Sequence, residues 1–102
     1  MDTNAILNES KLRFNHESAK AYLTDKFKSR LIIADQGGLW TASPTLLSIL
    51  ESFSNQENVI LIDDFQNPVK VNVKNLKEKL LKTYNHVMEE YYNEWKELEI
   101  KR

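Results

Sequence analysis

Three aspartates that end predicted strands are the residues best suited to chemistry. Asp63 and Asp64 are adjacent and follow an aliphatic run, and Asp35 stands at the matching end of an earlier run. Carboxylates of this kind bind Mg²⁺, so one interpretation is a small metal-dependent enzyme. Such sites also need phosphate ligands, and the chain has no phosphate-binding glycine loop. Aspartate at the start of a turn commonly accepts local backbone N–H bonds instead. We therefore favour a structural role, and we expect no catalytic residues, no metal ligands and no cofactor.

The histidines and serines indicate no other reaction. His16 and His86 are far apart in sequence, and only Glu89 or Glu90 stands at helical ligand spacing from His86. One His–Glu pair is at most half of a metal site. The serines fall in predicted caps and loops, and the G-x-S-x-G pattern of a nucleophile elbow is absent.

Basic residues supply the second candidate chemistry, which is phosphate binding. Residues 11–30 carry six basic groups, and residues 70–82 carry five lysines. If these clusters converged, Lys74, Lys77 and Lys82 would be the nucleic-acid contacts. The net charge of −1 and the presence of only three arginines disfavour this alternative, in which the chain is a nucleic-acid-binding accessory protein.

The elements that hold these residues follow from hydrophobic spacing and from cap and turn signals. The glycine pair after Asp35 predicts a tight hairpin turn. Asn15 predicts the cap of the first helix, Ser43-Pro44 predicts the start of the second, and Asn72 predicts the cap of the last. The predicted helices cover residues 16–29, 44–53 and 73–100, and the predicted strands cover 31–34, 39–42, 59–62 and 69–71.

Strand, turn, strand and capped helix thus occur twice. We predict an α+β fold with an N-terminal helix followed by two ββα units. A four-stranded, mostly antiparallel sheet would have helices on one face, and a long C-terminal helix would end the chain. At 102 residues this is a single domain, residues 1–102, with 1–10 as a loose tail.

The composition indicates in which cellular compartment the protein is expected. The chain has no cysteine, so a disulfide framework and a thiolate zinc site are excluded. The longest apolar runs have four residues, which predicts no membrane span, and the N-terminus lacks a basic signal region. We expect a cytoplasmic protein.

The C-terminal helix is the feature most suggestive of function. Its charge is divided, with lysines dominating residues 70–82 and five glutamates within residues 83–100. Two copies packed antiparallel would oppose unlike charges. We predict a homodimer, or a larger assembly of dimers, while the alternative is that the helix folds back on its own N-terminal helix. The apolar stripe consists of Val73, Leu76, Leu80, Tyr84, Val87, Tyr91, Trp95 and Leu98, widened by Leu81, Met88 and Tyr92. The predicted self-association residues are Met88, Tyr91, Tyr92 and Trp95.

Two stretches of the chain carry a resemblance. SRLIIADQGGLW and LIDDFQNPVKVNVKNL, the latter followed by the Tyr/Trp/Glu-rich helix, are similar to small uncharacterised proteins of T-even-type tailed bacteriophages from marine hosts. The resemblance implies an accessory, assembly or host-interaction protein in the host cytoplasm, with an unknown protein partner and no catalytic residues to carry over. The chain departs from it at Gln66, where a turn of this kind favours glycine.

Overall fold

The computed structural model describes the backbone of residues 3–100 and the side chains of residues 16–100. The fold is α+β, with three helices and two antiparallel hairpins, and the predicted long C-terminal helix is confirmed. In chain order the elements are α1 (Thr3–Arg30), β1 (Ile32–Asp35), β2 (Gly38–Thr41), α2 (Pro44–Ser52), β3 (Asn58–Ile62), β4 (Pro68–Asn72) and α3 (Val73–Ile100).

The first hairpin pairs β1 with β2 and sets Ile33 opposite Trp40. Its turn has positive φ at both central residues, 53° at Gln36 and 82° at Gly37, which is the turn type that matches strand twist. Gly38 is needed for a different reason. A Cβ there would lie 2.7 Å from Cζ2 of Trp40, so only glycine lets the indole lie flat against the strand.

The second hairpin pairs β3 with β4 and sets Ile60 opposite Lys70. Its turn covers residues 63–67 and places Gln66 at φ 67°, in the left-handed region. The expectation of glycine at this position therefore has a physical basis, since a side chain there costs about 1–2 kcal/mol in conformational energy.

Two of the three predicted helix caps, Ser43 and Asn72, are confirmed. The hydroxyl of Ser43 accepts the backbone N–H of Leu46 at 3.1 Å, and the side-chain oxygen of Asn72 accepts the N–H of Asn75 at 3.0 Å. Each cap satisfies one of the free amides of a first helical turn. Local chemistry therefore sets where α2 and α3 begin.

The predicted single four-stranded sheet is wrong, because the strands form two separate two-stranded sheets. In the second hairpin, hydrogen-bonded and free positions alternate, so Pro68 and Asn72 turn their backbone groups away from β3. Proline has no N–H, so β4 cannot offer a full ladder to another strand.

Side-chain hydrogen bonds and one backbone hydrogen bond close the seam between the hairpins in place of a ladder. At one end, Gln36 accepts the N–H of Asn72 at 2.7 Å and donates to its carbonyl at 3.4 Å. At the other end, the N–H of Leu39 donates to the carboxylate of Asp63 at 3.1 Å, and the N–H of Asp64 donates to the carbonyl of Leu39 at 2.8 Å. The hairpins are therefore joined at two points.

The N-terminal helix also differs from the prediction. It begins at Thr3 instead of residue 16, so residues 3–10 are helical instead of a loose tail, and Asn15 lies inside the helix. The chain has no glycine or proline before Gly37, so no residue interrupts the helix once it forms. Residues 1–2 of the expected tail lie outside the described part of the chain.

The hydrophobic core lies between the hairpins, α2 and the first half of α3. The stripe predicted for α3 supplies four of its buried side chains, and the inner faces of the hairpins supply Trp40 and Val71. The core cluster consists of Leu31, Trp40, Ala42, Leu50, Val71, Val73, Leu76, Leu80 and Val87.

The molecule is elongated, at 68 × 25 × 18 Å, with a radius of gyration of 19.6 Å against about 13 Å for a compact domain of this length. Helices α1 and α3 have 28 residues each, or about 42 Å. They pack antiparallel, with Phe27 on Tyr91 and Lys20 on Trp95, so they overlap over only part of their lengths. Among the described helices, none is long and apolar enough to cross a membrane.

Candidate self-association surface

One face of the far half of α3 is covered by α1. The ring of Tyr91 lies 4.5 Å from that of Phe27, and the ammonium of Lys20 lies 4.9 Å from the Trp95 ring centroid. Tyr91 and Trp95 therefore pack against α1 and are half-buried, so only part of the predicted association set lies on an uncovered face.

Ion pairs reinforce this packing. Lys26 contacts Glu94 at 3.0 Å, and Arg30 contacts Glu90. The intramolecular alternative is thus confirmed for this face of α3, since basic residues of α1 meet glutamates of α3. Each pair is partly exposed, so each contributes about 0–1 kcal/mol to the free energy of unfolding.

A second face of α3 stays open. Tyr92 is 57% exposed and Leu81 is 43% exposed, while Met88 between them is half-buried. The ammonium of Lys96 lies 5.6 Å from the Tyr92 ring centroid, so one lysine caps one end of the aromatic face. The structure thus separates the predicted set into two residues facing α1 and two, Met88 and Tyr92, facing outward.

The open residues belong to a continuous line along the helix. At about 100° per residue, the positions of this line, which are separated by steps of three or four, fall within about 40° of one direction. All members are exposed except Met88. We call this line the outer stripe of α3, and it consists of Lys74, Glu78, Leu81, Asn85, Met88, Tyr92, Lys96 and Glu99.

The outer stripe is apolar at its centre and charged at its ends. Lys74 and Glu78 lie toward the core end, and Lys96 and Glu99 lie toward the far end. Within residues 16–100, none of these four charges takes part in an ion pair. Sequence reasoning recognised Leu81 as widening the hydrophobic stripe but did not include it in the association set.

The aspartates of the metal-site alternative are engaged in holding the turns. Asp63 is buried, and its carboxylate accepts N–H groups of Asn67 at 2.9 Å, Leu39 at 3.1 Å and Phe65 at 3.1 Å. The bonds from Asn67 and Leu39, with that from Phe65, hold the pKa of Asp63 below its ordinary value against the opposing effect of burial. This carboxylate stabilises the turn and the seam.

The other two aspartates have partners of their own. Asp64 accepts the hydroxyl of Thr41 at 2.6 Å, and Asp35 contacts the ammonium of Lys79 at 2.7 Å. Burial alone would raise the pKa of Asp35, but hydrogen bonds from Lys79 and Gln36 lower it below its ordinary value. In the part of the chain with described side chains, no group of three or more His, Asp or Glu residues could hold a metal ion.

Ion pairs with acidic side chains occupy part of each basic cluster. Lys77 contacts Glu51, whereas Lys74 and Lys82 are exposed. On α1, Lys26 and Arg30 are bound to glutamates of α3. Lys11 and Arg13 lie outside the described side chains. Among the lysines and arginines with described side chains, ion pairs thus occupy Lys26, Arg30, Lys77 and Lys79, so each basic cluster is only partly available to phosphate.

Comparisons with protein-family models, with curated proteins and with solved structures find no match to this chain. The functional argument accordingly rests on the chemistry and placement of the residues themselves.

Proposed function

We propose that this chain is a small non-enzymatic protein that self-associates through the outer stripe of α3. The observation that carries the proposal is the exposure of Leu81 and Tyr92, beside half-buried Met88, on a face that α1 does not cover. Tyrosine and methionine are enriched in the cores of protein interfaces, and tyrosine supplies contact area there at low entropic cost.

A second copy is the favoured partner because the outer stripe carries both signs of charge. A surface built for nucleic acid would concentrate positive charge, and here Glu78 and Glu99 accompany Lys74 and Lys96 along the same line. The same stripe of a second copy, which carries the same lysines and glutamates, therefore offers it a complementary surface.

The resemblance to bacteriophage proteins supports the setting of this proposal. It rests on residues 29–40 and 61–76, which form the hairpins and the start of α3. A phage-encoded accessory, assembly or host-interaction factor would work in the host cytoplasm.

The number of residues in the outer stripe determines the expected affinity of the dimer. A stable interface uses about 20–30 residues on each side, and the outer stripe has eight. We therefore expect a dimer with Kd on the order of micromolar instead of nanomolar.

The test compares two exposed tyrosines. Tyr92→Glu places a charge in the apolar part of the stripe, whereas Tyr22→Glu makes the same change on α1, where Tyr22 is 70% exposed. Sedimentation equilibrium across a concentration series should give twice the 12.0 kDa chain mass for the natural chain and for Tyr22→Glu. Tyr92→Glu should remain at the mass of one chain.

Two outcomes would overturn the proposal. One is a natural chain that stays at the single-chain mass up to about a hundred times the expected micromolar Kd. The other is association that Tyr22→Glu and Tyr92→Glu weaken equally, because the outer stripe would then not be the contact surface.

A further inference from the structure

The outer stripe of α3 presents charged, apolar and central residues in the same order when it is followed from either end. From each end toward the centre, two charged residues come first, then an apolar residue, then the central pair of Asn85 and Met88. From the core end the charges are positive then negative, and from the far end they are negative then positive. A surface of this kind is complementary to itself when one copy is reversed.

We infer that two copies pair through this stripe as an antiparallel two-fold dimer in one register. Lys74 of each copy faces Glu99 of the other, and Glu78 faces Lys96. Leu81 faces Tyr92, and Asn85 faces Met88. The inference rests on the proposed self-association and adds the geometry of the partner to it.

Charge disfavours the parallel arrangement. Two parallel helices in register would set each of the four charged residues of the stripe against its own copy, and like charges in contact oppose association. A reversed helix turns all four contacts into unlike pairs. Antiparallel helices also oppose their macrodipoles, which adds a small favourable effect.

The apolar centre agrees with the same register. Leu81 and Tyr92 are the two most exposed apolar side chains of the stripe, and the two-fold axis places each against the other, so both lose their contact with water together. A shift by one helical turn would instead set Leu81 or Tyr92 against charged residues. Burial of apolar area and ion pairing thus favour one alignment.

Asn85 adds a polar element near the axis. In this register the two copies of Asn85 are offset by three residues, or about 4.5 Å along the helices, which is within reach of their amides. A buried asparagine pair fixes the register of paired helices, because any slip leaves an amide without a partner.

A charge-swap experiment tests the register. Lys74→Glu and Glu99→Lys should each weaken the dimer about tenfold in Kd, because each creates two repulsive contacts per dimer. A chain that carries both substitutions restores unlike pairs across the axis, so its Kd should return to within about threefold of the natural value. Added salt should weaken the natural dimer, since exposed charges are screened.

A control variant distinguishes a loss of interface contacts from a loss of helix stability. Lys82→Glu makes the same charge change on α3, about 80° around from the stripe, and should leave Kd unchanged. Circular dichroism melts of every variant identify any loss that arises from a weaker helix.

The outcomes distinguish this inference from the proposed function. If Tyr92→Glu abolishes the dimer but the double swap fails to restore what the single changes lose, the register is wrong while self-association through the stripe stands. If the natural chain is a single-chain species throughout, the proposed function fails first. Equal weakening by Lys74→Glu and Lys82→Glu would also overturn the register.

Discussion

The two hairpins have the same order of strand, turn and strand, but different interactions attach them to the rest of the molecule. The first inserts Trp40, which is 1% exposed, into the core, and its indole N–H donates to the carbonyl of Asp35 at 2.9 Å. The second buries Val71 on its inner face, but its outer face and turn expose Ile60, Ile62 and Phe65. The first hairpin is therefore held by burial, and the second depends more on the polar bonds of its turn.

This difference shows that a repeated local pattern does not give equal structural roles. Each unit ends in a capped helix, but α2 has nine residues and α3 has 28. The short helix packs on α3, while α3 continues beyond the core after Val87 and extends along α1. The second hairpin is thus attached to a much longer element than the first.

The largest expected effect is loss of the indole that anchors the first hairpin. Trp40→Ala removes a fully buried side chain and should lower the free energy of unfolding by about 3–5 kcal/mol. Phe65→Ala in the second hairpin, where the ring is 69% exposed, should change it by less than about 0.5 kcal/mol. Urea unfolding followed by circular dichroism measures both. Similar losses for the two variants would show that the hairpins do not differ in burial.

The second prediction concerns the carboxylate that holds the turn of the second hairpin. Asp63→Asn removes the charge that accepts three backbone N–H bonds and should lower Tm by roughly 10 °C. Asp64→Asn is the matched control, because Asp64 is exposed and bonds only to the Thr41 hydroxyl through its side chain. Its effect should be much smaller.

The same pair of variants gives a pH test. The pKa of Asp63 is lower in the folded chain than in the unfolded chain, so its contribution is fully present above the ordinary carboxyl pKa of about 4. That contribution is lost as pH falls through the folded-state pKa. The difference in Tm between the natural chain and Asp63→Asn should therefore shrink below about pH 4. A difference that stays constant down to pH 2 would contradict the role assigned to this carboxylate.

The smallest expected effect comes from glutamine-to-glycine substitution in the two turns. The substitution should raise the free energy of unfolding in one turn and lower it in the other. Gln36 and Gln66 both have positive φ. Gln66→Gly relieves that strain and should raise the free energy of unfolding by up to about 1 kcal/mol. Gln36→Gly relieves the same strain but removes the amide that bonds to Asn72 at the seam, so it should lower stability by about 1 kcal/mol. Thermal melts of both variants measure the difference, and a gain at both positions would show that the seam bond contributes nothing.

Most elements were predictable from the chain because their signals are local. Ser43-Pro44 and Asn72 start helices through bonds to the next turn, and the glycines after Asp35 permit the first hairpin turn. The sheet could not be predicted in the same way. Its division depends on Gln36 reaching Asn72 and on Asp63 taking the amide of Leu39, which are contacts between segments distant in sequence.

The candidate site shows the same limit. Tyr91 and Tyr92 are adjacent and chemically identical, but they point about 100° apart, so one packs on Phe27 and the other faces water. Periodicity identified both as part of a wide apolar surface. It could not determine which of the two would be covered.

The sequence by itself thus determined that α3 is long, amphipathic on two faces and divided in charge, because helical spacing depends only on neighbouring residues. Only the tertiary structure decided that α1 packs on the face of Tyr91 and Trp95, and that Leu81, Met88 and Tyr92 lie on a face that α1 does not cover. The physical reason is that the burial of a side chain depends on where a distant segment packs, and that position results from the whole set of contacts.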